Sequence, residues 1–346
     1  MKDEKKITGN AKMAEPKVSE KRRKTVKSGI LEILEQNRGA FLSGEALAET
    51  LGCTRAAVWK GVTALREEGY AIEAVPNRGY RLSPDDSRLS AEGLRLYLKA
   101  PQAMIRVCEQ VESTNQAAKL AALQGEAGHG AIVAAMEQTG GRGRRGRGFF
   151  SPKDAGLYFS VVLQPTRSLR ESLLITTAAA VSVYKAVLRV CGISLGIKWL
   201  NDLYRDGKKV CGILTEAVTD FESGDIEFAI VGIGLNLYKS ADMPAELQEV
   251  AGALYDTREE AQKMDRNRLV AEIVNTLLEE IGDLKLSPDY MNHNLVPGRE
   301  ILLTEGGSTR RVHALSICSD GRLLVQEPDG TEKRLSYGEV SIHVLT

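Results

Sequence analysis

The sequence predicts a multidomain α+β chain. It has an N-terminal winged helix-turn-helix, a central mixed-sheet α/β domain and a small C-terminal β-barrel. Three observations lead there. Two capped amphipathic helices flank a glycine turn near the N-terminus and precede an alternating hairpin pattern. Helical and strand-like apolar runs then interleave, as in an α/β or α+β domain. Finally, residues 296–346 hold short strand-like runs punctuated by Gly306-Gly307, Asp320-Gly321 and Asp329-Gly330, the spacing of a small barrel. A chain of 346 residues, 43% hydrophobic and 27% charged, has ordinary globular composition and room for two or three domains.

Residues 1–25 are polar and lysine-rich, and residues 1–28 carry ten Lys/Arg against four Asp/Glu. They read as a disordered basic arm. Net charge over the whole chain is zero, so total charge indicates no partner. Helical periodicity begins at Val26, with Ile30, Leu31 and Leu34 on one face. Ser43 is placed to cap the next helix and Gly52 to end it. Thr54 is placed to cap a third, which turns Val58, Val62 and Leu65 inward. Ser43, Thr54, Arg55, Ala57 and Lys60 are the candidate DNA-facing positions of this module. Residues 70–82 alternate around Pro76-Asn77-Arg78-Gly79, a wing with Arg78 near its tip. The module is assigned residues 26–84, and residues 83–87 read as a linker.

The central domain is assigned residues 85–292. Helices are expected over 91–98, 114–124, 172–190 and 265–284, with a further candidate over 245–254. Strands are expected over 105–111, 130–136, 157–163, 197–200, 209–215 and 228–235. Asp206-Gly207 between two apolar runs is a hairpin signal. The last domain is assigned residues 293–346.

Five cysteines, odd in number and without paired spacing, argue for reduced thiols and a cytoplasmic protein. No Cys-x-x-Cys or histidine cluster suggests structural zinc, so a metal site is left unassigned. No apolar run near the N-terminus suggests a signal peptide, and no membrane span is expected.

Residues 137–150, Glu-Gln-Thr-Gly-Gly-Arg-Gly-Arg-Arg-Gly-Arg-Gly-Phe-Phe, alternate five glycines with four arginines. Glycine frees the backbone and arginine offers a fixed fork of donors to phosphates and carboxylates. Taken alone, the tract fits a solvated loop, a disordered RNA-binding segment or a loop that closes on an anion. Ordering nine such residues costs about 1–2 kcal/mol each, so the loop is expected to stay open without ligand. Three other motifs stand apart in sequence: Glu112-Ser113-Thr114-Asn115-Gln116 at a helix start, Lys198-Trp199-Leu200-Asn201-Asp202, and Gly232-Ile233-Gly234-Leu235-Asn236. Ser113 and Thr114 suit a helix cap, Lys198 a solvated strand position or a point charge, and the glycines close backbone packing.

In this order, together with Gly212-Ile213-Leu214-Thr215-Glu216, the motifs resemble those of biotin protein ligases. The helix-turn-helix in front resembles the bifunctional kind that also represses biotin genes. The resemblance covers residues 26 to 346. It implies a catalytic domain of the biotin/lipoate ligase type and an SH3-like C-terminal barrel. It implies that Ser113, Thr114, Asn115 and Gln138 contact biotin, and that Arg142, Gly143 and Arg144 fold over biotin and the adenylate. Lys198 would contact biotin and the reacting groups, leaving Lys198 and Arg144 as the catalytic candidates. The family pattern has proline at Leu200, and an arginine where this chain has His343. The implied reaction joins biotin and ATP, with Mg²⁺, into biotinyl-5′-AMP, then biotinylates a lysine of a biotin carboxyl carrier protein. The implied partners are that carrier, operator DNA and a second copy of the chain when adenylate is bound. A biotin-sensing regulator without turnover and a lipoate-type ligase are the alternatives. Asn201-Asp202 is the only suggestion for a base in the second step.

Overall fold

The computed structural model describes residues 25–100, 103–164, 172–219, 226–305, 307–336 and 340–344. The basic arm, apart from Thr25, lies outside them.

Helices α1 (Val26–Gln36), α2 (Gly44–Leu51) and α3 (Arg55–Glu67) precede strands β1 (Ile72–Val75) and β2 (Gly79–Leu82). Both expected caps form: Ser43 Oγ accepts from Ala46 N at 3.0 Å, and Thr54 Oγ1 accepts from Ala57 N at 3.1 Å. Gly52 ends α2 in the left-handed region, at φ 59°. Ile30, Leu34, Leu47, Val58, Val62, Leu65 and Leu82 form a core of their own. The β1–β2 hairpin is the wing, pairing Val75 with Gly79 at its tip.

The segment after the wing is strapped down; it is not a free linker. The Asp86 carboxylate accepts from Ala71 N at 2.7 Å and from Arg88 N at 2.9 Å, and Arg38 donates to the Asp86 carbonyl. Helix α4 (Ala91–Tyr97) then lies against α1. Glu35, buried on α1, pairs with Arg38 and accepts from Ser90 Oγ at 3.3 Å.

The chain continues through β3 (Ile105–Val111), α5 (Thr114–Leu123), β4 (Ile132–Gln138), β5 (Gly156–Leu163), α6 (Ser172–Cys191), β6 (Gly196–Lys198), β7 (Asp202–Arg205), β8 (Lys208–Thr219) and β9 (Ile226–Asn236). These strands form a sheet of order β3-β4-β5-β9-β8-β7-β6, parallel only between β3 and β4. Alternation decides what covers each face. Ile132, Ala134, Val161 and Val231 join the core beneath α6, whereas Val133, Val162 and Ile230 pack with Ala118 and Ala121 of α5. Helix α6 is long and apolar enough to cross a membrane, but 72% of its apolar window is buried in this core. The strand expected over 197–200 stops at Lys198, and β7 follows as the first arm of the hairpin expected at Asp206-Gly207.

Four helices follow: α7 (Ala245–Gln248), α8 (Arg258–Gln262), α9 (Arg266–Gly282) and α10 (Pro288–Asn292). Only four residues of the candidate helix over 245–254 are helical. The rest runs beside β8, where Lys209 N donates to Val250 O and Gly252 N to Lys209 O.

Strands β10 (Arg299–Glu305), β11 (Ser308–Ile317), β12 (Leu323–Gln326), β13 (Glu332–Leu335) and β14 (Val340–Val344) form an antiparallel sheet of order β13-β12-β11-β10-β14. Its edges, β13 and β14, do not pair among the described residues, so the expected closed barrel is an open sheet. Ile301, Leu303, Val312 and Val325 join the central core, and Trp199 Nε1 donates to Gly321 O at 2.8 Å.

Candidate active site and nucleic-acid interface

Strand β3 delivers the start of α5 to the sheet, beside the end of β4 and the middle of β9. Ser113 occupies the cap position of α5 without capping it: its side chain accepts no bond from the helix start. The cap explanation for this hydroxyl therefore fails. Thr114 makes its bonds away from the helix start. Its N–H and hydroxyl both donate to Gln138 Oε1, at 2.9 and 3.1 Å, and Gln138 Nε2 donates to Ser151 Oγ at 2.9 Å. Asn115 is buried, accepts from Ser160 Oγ at 2.6 Å and donates to Glu216 Oε2 at 2.7 Å. The glutamate of Gly-Ile-Leu-Thr-Glu thus orients the asparagine of Ser-Thr-Asn.

The Gly/Arg tract does not stand open. It folds as a narrow tongue, with bridges pairing Gln138 with Ser151 and Arg142 with Gly148. Gly143 N donates to Arg147 O at 2.7 Å and Phe149 N to Gly141 O at 2.8 Å. Any Cβ on Gly141 would sit 2.3 Å from Phe149 O, so the two arms meet only because this residue is glycine. Arg142 remains half-exposed, 3.6 Å from Glu112. Arg144 turns inward and donates to Asn201 Oδ1 at 2.8 Å.

Across the cavity, Lys198 ends β6 with Nζ 3.4 Å from the Tyr204 hydroxyl. Burial pulls its pKa below the ordinary lysine value; Asp202 opposes that shift and Lys209 adds to it. Asp202 pairs with Lys209 at 2.7 Å. The Trp199–Leu200 peptide is cis. Asn201 donates to Ile213 O at 2.8 Å while accepting from Arg144, and its amide has no basic nitrogen to offer. Of the pair suggested as a base, Asn201 is a brace and Asp202 is ion-paired.

These segments enclose one cavity of about 410 Å³, within the usual range for small-ligand sites. Ser113, Thr114, Asn115, Gln138, Arg142, Gly143, Arg144 and Lys198 all line it. With Arg145, Arg147 and Lys209 the wall carries six cations against one carboxylate, Asp202. Such a site suits an anion. A smaller cavity of about 170 Å³, lined by Phe150, Tyr158, Tyr238, Met243 and Leu247, adjoins it. Phe149, Tyr204, Lys209 and Val250 face both. The Phe149 ring lies on bare backbone: a Cβ on Gly234 would sit 2.5 Å from it. Gly232 admits Asn115 in the same way, a Cβ there falling 2.1 Å from Oδ1. The Gly-Ile-Gly motif is thus a packing surface for two cavity residues.

Sequence reasoning missed Phe149, Ser160, Tyr204, Lys209 and the 243–250 segment. Ser160 alone left a signal, a hydroxyl inside an apolar strand. No group of three or more metal-ligating side chains occurs among the described residues.

On the N-terminal module, Arg55 and Lys60 are exposed on α3 and Arg78 on the wing, where its guanidinium stacks 4.0 Å from the Phe41 ring centroid. Ser43 and Thr54 serve as caps. Ala57 supplies the N–H that Thr54 accepts and is half-buried.

Comparison with known proteins agrees with both halves. A model of the "Biotin/lipoate A/B protein ligase family" matches residues 107–236, and one described as "HTH domain" matches residues 27–81. Over 327 residues the chain is 34% identical to "Bifunctional ligase/repressor BirA" of Bacillus spizizenii, covering 90% of this chain and 97% of that protein. The chain belongs to the bifunctional ligase/repressor family of biotin protein ligases. The family member of the same name from Escherichia coli is 33% identical over 317 residues, 88% of this chain and 94% of that one. Among solved structures, the biotin protein ligase from Aquifex aeolicus in complex with biotin and ATP superposes with a TM-score of 0.56 at 26% identity. It covers 70% of this chain and 99% of that chain.

Proposed function

We infer that this chain is a biotin protein ligase and a DNA-binding repressor, the two activities meeting in the cationic cavity. The cavity activates biotin with ATP to biotinyl-5′-AMP and passes biotin to a lysine of a biotin carboxyl carrier protein. The carrying observation is convergence: eight residues from three separate sequence segments line one cavity of about 410 Å³.

In the first step a biotin carboxylate oxygen bonds to the α-phosphorus of ATP and pyrophosphate leaves. The nucleophile is already ionised, so no base is required; the obstacle is bringing two anions together. Lys198, Arg144 and Arg142 place positive charge where negative charge accumulates. Arg144 is held for this by Asn201. Ser113, Thr114, Asn115 and Gln138 supply polar contacts to biotin, and Gly143 lets the tongue close over it. The smaller, aromatic-lined cavity takes the adenine, which puts the phosphate at the shared wall beside Lys209. In the second step the neutral carrier amine attacks the acyl carbon and AMP departs.

The cavity offers Asp202 as its one carboxylate, already paired with Lys209, so it does not form a cage for a resident metal. Mg²⁺ fits as a companion of the nucleotide, bound through phosphate oxygens and water. The C-terminal sheet reads as SH3-like with one open side. Adenylate seated under the tongue favours a homodimer, which sets two helix-turn-helices on a two-fold symmetric operator. The expected compartment is the cytoplasm.

Incubating the purified chain with biotin, labelled ATP and a carrier domain tests the reading. Biotinyl-5′-AMP forms first and the carrier lysine is then labelled. If biotin binds without adenylate forming, the chain is a regulator without turnover; if lipoate replaces biotin, it is a lipoate-type ligase.

A further inference from the structure

Helix α3 buries Val58, Gly61, Val62 and Leu65 and presents Arg55, Ala56, Trp59 and Lys60 to solvent. Trp59 is 60% exposed, more than any other large apolar side chain among the described residues. The module's core does not include it. An indole left in water gains the fold little, since apolar burial is what stabilises. A single exposed apolar residue needs no explanation by itself. This one, however, lies within one helical turn of both Arg55 and Lys60. Arg78, exposed on the wing, adds a third cation to the module. A face with cations on its flanks and a flat apolar ring between them matches one surface: the DNA major groove, with phosphates along its rims. The one apolar group exposed on base edges in that groove is the thymine C5-methyl.

We propose that Trp59 reads thymine methyl groups, making it a specificity residue of the repressor half. The proposal rests on the reading of residues 26–84 as the DNA-binding module. Arg55, Lys60 and Arg78 grip phosphates whatever the sequence. Trp59 distinguishes T·A from C·G by the methyl it covers.

The test begins with a duplex selected from a random library by the full chain, with biotin and ATP present. That duplex is synthesised with thymine and again with uracil, which lacks the methyl. Affinities come from fluorescence anisotropy at several salt concentrations. Wild type loses about four-fold for each contacted methyl replaced, the worth of one buried methyl. Trp59→Ala binds the thymine duplex about ten-fold more weakly, binds both duplexes equally, and keeps the wild-type salt slope. Arg55→Ala keeps the thymine preference and reduces the slope by about one. Trp59→Phe, which retains a ring, retains part of the preference. In wild type, the thymine duplex shields the exposed indole from iodide; Trp199, the other tryptophan, is buried. A thymine preference undiminished in Trp59→Ala overturns the proposal. Enrichment of no duplex at all instead overturns the DNA-binding reading beneath it.

Discussion

In the central cavity the side chains that line the wall also hold one another. Thr114, Gln138 and Ser151 form one chain of hydrogen bonds; Ser160, Asn115 and Glu216 form another; Arg144, Asn201 and the Ile213 carbonyl form a third. On the N-terminal module, Arg55, Trp59 and Lys60 stand exposed while a separate core of Ile30, Leu34, Val58 and Leu65 carries the fold. The difference teaches where function can be removed without disturbing structure. Reacting groups need fixed geometry, so the fold supplies them with braces. A surface that meets a charged groove needs reach, and its residues can change independently of the core.

Asn201→Ala should break the comparison most sharply. The change removes the Asn201 bond to Arg144 and leaves the Ile213 carbonyl unsatisfied, a cost of about 1–3 kcal/mol. Adenylate formation should fall by about a hundred-fold, since Arg144 loses the brace from Asn201. Pyrophosphate release and a urea melt on the same preparation read both effects. Full activity with normal stability would mean the bracing is incidental.

Gly232→Ala comes next. The added methyl meets Asn115 Oδ1, and overpacking of this kind costs about 1–3 kcal/mol. Biotin affinity should drop with stability, because Asn115 must move. Calorimetric titration with biotin checks this; unchanged affinity would detach Asn115 from the site.

On the other region, Arg55→Ala should leave the melting temperature unchanged and weaken operator binding a few-fold, with about one fewer counterion released. A lowered melting temperature would show that this face is also structural.

The smallest effect concerns Glu35, at the junction of the two regions. Burial raises its carboxyl above the ordinary 4.5, with Arg38 opposing. The folded chain then holds that proton more tightly than the unfolded chain. Stability therefore falls as pH rises from the ordinary carboxylate value through the raised folded one. Glu35→Gln should flatten that slope. Urea melts across the acid-to-neutral range measure it, and an unaltered slope would assign the pH dependence elsewhere.

Much of this was legible because the signals are local. Ser43 and Thr54 announce their helices, Asp206-Gly207 its hairpin, and Val26–Leu82 the winged module. The cavity residues were legible through motif order, which brought Ser113, Gln138, Arg144 and Lys198 together. What escaped depends on partners distant in sequence. Ser160 matters because Asn115 lies against it, Lys209 because two cavities meet at its side chain. Residues 249–252 are not helical because β8 offers them hydrogen bonds. The 83–87 segment looked like a linker because its composition is one, yet Asp86 ties it to Ala71, Arg38 and Arg88. The tongue was expected open from its glycines, but Gly141 is what lets its two arms close.

The measurement that bears most directly on the cavity's role is biotin-dependent pyrophosphate release by Lys198→Ala beside wild type, with lipoate as a second acid. Wild type should release pyrophosphate with biotin and not with lipoate. The variant should fold normally and fall by about a hundred- to a thousand-fold, the usual loss when one charge-stabilising donor is removed. Near-normal release by Lys198→Ala would reduce Lys198 to a solvated strand residue and contradict the assignment of this cavity as the place where biotin is activated.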